Sequence, residues 1–256
     1  MSQLLPVKIN KGSGEPLILL HGLGNNYKSW TYVLEEIDYT KNNVVAFDLL
    51  GFGDAPKSTD IDYTPGDHAD AVIESMDKIG VKNAIVAGHS MGCIVAAKVA
   101  EKRPDLVARL VLLGAPIFKH RPRKTDRLMF WRREDAYTSI FKVIAKNPDV
   151  TLPAANALDV VAPLLKGMEI TEETWPSFQK SLRNTIMQTQ TYKDLLTLKT
   201  PTLLIYGRLD FFVIKHNLKK VAKANSAYIT FETLIGPHEI TPIHGKSIVE
   251  LIQSNS

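Results

Sequence analysis

The run Gly88-His89-Ser90-Met91-Gly92 sets a serine between two glycines at G-x-S-x-G spacing. Before it stands the apolar stretch Ala84-Ile85-Val86-Ala87, and after it a helical pattern continues from Met91 to Lys102 and stops ahead of Pro104. A serine on a sharp strand-to-helix turn is a nucleophile lifted above a sheet, and the glycines are required because neighbouring side chains would clash there. The amides that open the helix face any negative charge developing beside Ser90. The chemistry this permits is acyl transfer, in which the hydroxyl attacks a carbonyl carbon and backbone N–H groups hold the oxyanion.

Such a serine needs a base, and the base needs an orienting acid. Asp210 follows the apolar run Thr202-Leu-Leu-Ile-Tyr-Gly207, at the C-terminal end of a strand, where open α/β sheets place their sites. His238 follows the last strand-like run, in Gly236-Pro237-His238-Glu239-Ile240. The order Ser90, Asp210, His238 suits a serine hydrolase of this architecture. His244 is the competing base, although its place beside Gly245 reads as the start of a final helix. Upstream, His21-Gly22-Leu23-Gly24 closes the first buried run and offers an early-loop oxyanion donor, so the backbone amides of Leu23 and Met91 form the expected pair. The His21 side chain reads as a brace for that loop, not as a reacting group.

Six short apolar runs must position these residues: Pro16–Leu20, Val44–Asp48, Ala84–Gly88, Arg109–Ala115, Pro201–Arg208 and Tyr228–Pro237. The first five are continuous, as expected of strands buried on both faces of a parallel sheet. Helical patterns lie between them at about Trp30–Ile37, Gly66–Ile79 and Met91–Lys102, so the fold class is α/β with helices on both faces of a mostly parallel, doubly wound sheet. From Ile117 to Gln190 no strand-like run occurs, and patterns such as Leu128–Lys146 and Trp175–Gln190 read as helical. So long a structureless loop would be implausible. The division predicted is a core of residues 1–116 and 191–256 with a helical lid inserted at 117–190.

The 256 residues carry 31 Lys+Arg against 27 Asp+Glu, with 45% hydrophobic and 23% charged residues, which excludes disordered, collagen-like and coiled-coil classes. Cys93 is the only cysteine, so no intrachain disulfide forms, and a reducing, cytoplasmic setting is expected. The first residues show no signal-peptide pattern, and the longest apolar stretch, Ala84 to Ala100, falls short of the ~20 residues of a membrane span. No zinc-finger, RNP-like or helix-turn-helix pattern points to nucleic acid. No metal site is expected, because the seven histidines lack H-E-x-x-H spacing and Cys93 has no partner. No nucleotide cofactor is expected either, since Gly51-Phe52-Gly53 is not a G-x-G-x-x-G.

On these motifs the chain resembles the α/β-hydrolase superfamily, in its lid-bearing branch of serine esterases, lipases and C–C bond hydrolases. The matching features are His21–Gly24, Trp30, the glycine-containing loop Asp48–Ser58, Gly88–Gly92, Gly207–Asp210 and Gly236–His238, in the family's order and spread over the chain outside the lid. The resemblance implies Ser90 as nucleophile, His238 as base, Asp210 as acid and the Leu23 and Met91 amides as oxyanion hole. It gives Asp48 and Asp54 no catalytic part. Two departures stand out: the usual pair of N-terminal strands shortens to one at Leu4–Asn10, and Pro242 lies only four residues beyond His238. An aspartate in place of Ser90 would have implied dehalogenation, and this chain lacks it.

The function expected is cleavage of a carboxylic ester of a small, largely apolar substrate, by a monomer or homodimer. One alternative is C–C hydrolysis of a vinylogous diketone by the same triad, with Asn25, Asn26 and lid arginines holding a second carboxylate. Another is a small-molecule-binding regulator that keeps the triad without turnover. The aromatics Phe130, Trp131, Trp175 and Phe178 read first as lid packing and second as a pocket wall. Lys119, Arg121, Arg123, Lys124, Arg127, Arg132 and Arg133 stand against one acid, Asp126. That run reads as a solvated lid face, or as a contact for an anionic surface or an acidic substrate.

Overall fold

The computed structural model describes residues 3–119 and 168–253. Seven strands form one sheet: β1 (Val7–Lys11), β2 (Glu15–Leu20), β3 (Asn42–Phe47), β4 (Ala84–His89), β5 (Val107–Leu113), β6 (Thr202–Gly207) and β7 (Ile229–Leu234), in the order β1-β3-β2-β4-β5-β6-β7. Only β1 runs antiparallel, against β3, and it is the single N-terminal strand expected from the sequence, shifted to Val7–Lys11. Every other pairing is parallel.

The continuous apolar runs are explained by what lies on each face. Successive residues of a strand point to opposite sides. Ile18, Leu20, Val45, Phe47, Val86, Leu110 and Leu204 therefore enter one core cluster. Their neighbours Leu17, Leu19, Val44, Ala46, Ile85, Val111 and Leu203 enter the other. Helices α2 (Pro65–Lys78) and α3 (Met91–Lys102) cover the first face. The second is covered by α1 (Thr31–Glu36), together with a helix at the C-terminal end of the described chain, Pro242–Gln253. α2 starts at a capping box in which Thr64 Oγ1 accepts from Asp67 N and an Asp67 oxygen accepts from Thr64 N.

Of the span 117–190 predicted as a lid, residues 117–119 and 168–190 are described, and the pattern at Leu128–Lys146, Phe130, Trp131 and most of the basic run lie outside the described residues. The returning part forms α4 (Trp175–Ser181), which passes directly into a π-helical turn at Leu182–Ile186. Phe178, Leu182 and Ile186 are buried in the same cluster as one face of the sheet, and Trp175 stacks on Phe178 at 5.6 Å. Polar ties secure the segment to the loop before α2. Lys180 Nζ donates to the carbonyls of Thr59 and Ile61, both at 2.7 Å, and Thr185 Oγ1 donates to that of Tyr63 at 2.6 Å. The remaining helices are α5 (Thr191–Thr197), α6 (Lys215–Ala224) and α7 (Pro242–Gln253). Among the described residues no helix is long and apolar enough to cross a membrane.

The registers bring the site together. Leu20 pairs with both Phe47 and Gly88, Leu113 with Ile205, and Gly207 with Leu234, so the strands end level with one another. From β2 the chain winds to β3 on one side and from β4 to β5 on the other, which opens the switch-point crevice between the ends of β2 and β4.

Candidate active site

Ser90 sits between β4 and α3 at φ 54°, ψ −118°, a conformation L-residues rarely adopt. Its amide donates to Leu113 O at 2.9 Å, which ties the turn to β5. The two flanking glycines have no alternative: a Cβ on Gly92 would lie 2.3 Å from Leu20 O, and one on Gly88 would lie 2.4 Å from Gly92 O. The strained turn therefore exists because the α3 backbone packs directly onto the end of β2. It leaves the Ser90 hydroxyl projecting from the sheet.

His238 Nε2 lies 3.0 Å from Ser90 Oγ, and His238 Nδ1 lies 2.7 Å from Asp210 Oδ2. The carboxylate can only accept, so Nδ1 carries the proton and Nε2 is left to accept from the serine hydroxyl. Asp210 is itself fixed, since its Oδ1 accepts from Phe212 N at 2.8 Å and Val213 N at 3.2 Å. Burial pulls the His238 pKa down, but the Asp210 hydrogen bond and charge, helped by Glu239, outweigh it and hold the imidazole above its ordinary value.

The structure brings His238, not His244, to Ser90. His244 is buried and turned away, its Nδ1 accepting from Thr241 Oγ1 at 2.7 Å and its Nε2 donating to Ile235 O at 2.7 Å. The early loop lies close to Ser90: a Cβ added to Gly22 would lie 3.2 Å from the Ser90 Cβ. His21 braces this loop, with Nδ1 donating to Gly22 O and Nε2 accepting from Leu49 N, both at 2.8 Å. Asp48 is structural as well, accepting from Tyr27 N at 2.9 Å and Asp54 N at 3.0 Å.

Three contacts escaped the sequence reading. His89 Nε2 donates to the His238 carbonyl at 2.9 Å, so the residue beside Ser90 steadies the backbone of His238. Phe212 meets the His238 ring edge to face at 5.3 Å. Glu169 N donates to Gly24 O at 2.7 Å, so the segment described from residue 168 holds the His21–Gly24 loop. The first two follow motifs that were noticed; the third joins positions 145 residues apart and leaves no local signal. Among the described residues no group of His, Cys, Asp or Glu is arranged to hold a metal ion.

The buried histidines make a prediction for stability. Burial pushes His21 down to about 4 and His68 and His89 down to about 3, against an ordinary value of 6.5, so all three are neutral in the folded protein. Between pH 6.5 and those values the unfolded chain binds protons that the native state refuses. The stability these three histidines contribute is therefore complete above pH 6.5 and lost as pH falls, at roughly 1.4 kcal/mol per pH unit for each histidine. Urea unfolding at pH 7, 6 and 5 should show this loss, and a His68→Gln variant should show a shallower one. Equal slopes in the two proteins would remove His68 from the account.

The family model described as alpha/beta hydrolase fold matches residues 15–237. A probable lysophospholipase of Arabidopsis thaliana, BODYGUARD 4, is 37% identical over 106 residues, which cover 41% of this chain and 25% of that protein. The 2-hydroxymuconate semialdehyde hydrolase of Pseudomonas sp. (strain CF600) is 31% identical over 109 residues, covering 41% of this chain and 38% of its own. The chain thus spans well under half the length of these curated relatives. Among solved structures, an esterase from Exiguobacterium antarcticum superposes with a TM-score of 0.74 at 18% identity, covering 98% of this chain and 94% of the other, a likeness of fold.

Proposed function

The chain belongs to the alpha/beta hydrolase fold family, and from that premise we propose that it is a serine hydrolase that cleaves a carboxylic ester of a small, largely apolar substrate. The observation that carries this reading is the line Ser90 Oγ, His238 Nε2, His238 Nδ1, Asp210 Oδ2, with separations of 3.0 and 2.7 Å. Ser90 attacks the ester carbonyl while His238 takes its proton. The Leu23 and Met91 amides receive the oxyanion, and preorganised donors of this kind stabilise charge as it develops. His238 then protonates the leaving alcohol, and water repeats the sequence on the acyl-enzyme. Asp210 holds the imidazole tautomer throughout. The span 117–190 predicted from the sequence as a lid would set the acyl pocket.

The test is turnover of p-nitrophenyl esters of graded chain length, with a lysophospholipid included because one relative is named a probable lysophospholipase. Hydrolysis of at least one ester is expected. No turnover across the panel would leave a binding protein on this fold. The relative named for 2-hydroxymuconate semialdehyde supports a second reading, C–C hydrolysis by the same residues. Preference for a vinylogous diketone over every ester would favour it.

The pH profile follows from His238. Only neutral imidazole accepts the serine proton, so kcat/KM rises with pH, and its midpoint lies above ~6.5 because Asp210 favours the charged ring. Stopped-rate assays from pH 5 to 9 should show this limb in wild type and in His244→Gln. His238→Ala should have no measurable limb. A limb lost in His244→Gln and kept in His238→Ala would reassign the base.

A further inference from the structure

The loops that carry Asp210 and His238 end in large apolar side chains that stand exposed among the described residues. Leu209 is 54% exposed, Phe211 76%, Ile235 72% and Ile243 84%. These four belong to one rim of the sheet, because backbone and ring hydrogen bonds join their segments. Arg208 N donates to Leu234 O at 2.8 Å, Leu209 N donates to Gly236 O at 2.9 Å, and His244 Nε2 donates to Ile235 O at 2.7 Å. Scattered apolar residues on a surface need no explanation, whereas a contiguous set at one end of a sheet marks a contact.

Exposed charge on the segments that form this rim has one sign. In the segments 207–220 and 234–246 the exposed charged side chains are Arg208, Lys219, Lys220 and Lys246, with Lys215 partly exposed. Their two carboxylates are withdrawn: Asp210 is buried against His238, and Glu239 is half-buried beside it. The nearest exposed carboxylates on the same elements, Glu232 and Glu250, lie back along β7 and further along α7.

From this arrangement we infer that the rim formed by Leu209, Phe211, Ile235 and Ile243 docks the protein on an anionic lipid surface. Side chains that stand as clear as Phe211 and Ile243 form protrusions, not a groove, and protrusions suit a deformable interface into which they can insert. The surrounding cations are drawn to anionic headgroups over a Debye length of about 10 Å at moderate salt. A second copy of this chain fits poorly, because a two-fold contact through the rim would set like charges against each other. Docking here presents the ends of β6 and β7, and so the loops of Asp210 and His238, to the lipid. It does not depend on the hydrolase reading, and Ser90→Ala should bind as wild type does.

The experiment is vesicle flotation of the whole chain with phosphatidylcholine alone and with phosphatidylcholine containing 30% phosphatidylglycerol. Wild type should float with the anionic vesicles. Partitioning should fall at least about tenfold in Phe211→Ser/Ile243→Ser and in Arg208→Ser/Lys246→Ser, and by a similar factor when salt rises from 0.05 to 0.5 M. Because Cys93 is buried, Ile243→Cys can be labelled at that one site with an environment-sensitive dye. Its emission should shift to the blue on anionic vesicles alone, a result that does not depend on the multiple variants folding. Absence of wild-type flotation, or flotation of both double variants at the wild-type level, would overturn the inference. So would a wild-type dimer that Phe211→Ser/Ile243→Ser converts to monomer, since the rim would then serve a second copy.

Discussion

In the Ser90→Ala variant, kcat/KM for the best ester of the panel should fall by at least about 10⁴-fold, leaving the residual rate that binding and the oxyanion amides supply. The loss is large because no neighbour can replace the hydroxyl. Cys93, the nearest other nucleophile type, is buried with its Sγ 3.1 Å from Gly88 O and 3.2 Å from Leu113 O, and burial pushes its thiol pKa well up. Stability should hardly change in this variant, since the Ser90 amide keeps its bond to Leu113 O and the turn keeps its shape. Ser90→Gly separates the two properties further. At φ 54° and ψ −118° glycine relieves strain that any side chain must bear, so this variant should gain about 1 kcal/mol of stability while being as inactive as Ser90→Ala. Thermal unfolding beside ester assays measures both. A Ser90→Ala enzyme with near-wild-type kcat/KM would remove Ser90 from the chemistry.

Asp210→Asn should be nearly as severe, with a loss of about 10⁴-fold in kcat at pH 7 and a retained fold. The geometry dictates which way the amide turns. Oδ1 of Asp210 accepts from two backbone amides, Phe212 N and Val213 N, so the asparagine oxygen must stay on that side. Its NH2 group then faces His238 Nδ1, which must become the acceptor. The proton moves to Nε2, the nitrogen that faces Ser90, and a protonated Nε2 cannot take the serine proton. Asp210→Ala loses the orienting contact without imposing the wrong tautomer, and should retain more activity than Asp210→Asn at alkaline pH. Kinetics of both variants from pH 6 to 10 would decide this. Asp210→Asn at more than a tenth of wild-type kcat would show that the carboxylate has no part in setting the tautomer.

Both predictions rest on residues that the sequence marks well, and the reason is physical. Ser90 lies where a glycine pair, the apolar strand Ala84–His89 and the helix Met91–Lys102 meet, so local pattern and local geometry coincide. The continuous runs at Leu17, Val44, Ile85, Val111 and Leu203 mark strands covered on both faces, and each of these residues is buried within its expected strand. Helix α3 occupies Met91–Lys102 as its composition and the following proline require. Other features were not legible because they depend on distant contacts. The π-helical turn at Leu182–Ile186 follows a helical pattern that says nothing of its winding, and Asn184 and Thr185 tie it to the carbonyls of Asp62 and Tyr63 by bonds no local window contains. The sequence favours His238 over His244 because His238 directly follows the last strand, and the placement of Ile235 O and Ser90 Oγ supplies the physical reason. The exposed tips at Phe211 and Ile243 look like ordinary core residues in the sequence.

The central claim, that Ser90 is a nucleophile activated by His238, is tested most directly by covalent capture. The protein is treated with a fluorophosphonate at pH 8, and intact mass is followed by peptide mapping. The account predicts one phosphonyl group per chain, carried by the peptide that contains Ser90. It also predicts no label in Ser90→Ala and labelling slowed by orders of magnitude in His238→Ala. An enzyme that hydrolyses its ester while Ser90 stays unmodified, or one that is labelled elsewhere at the same rate in Ser90→Ala, would contradict it.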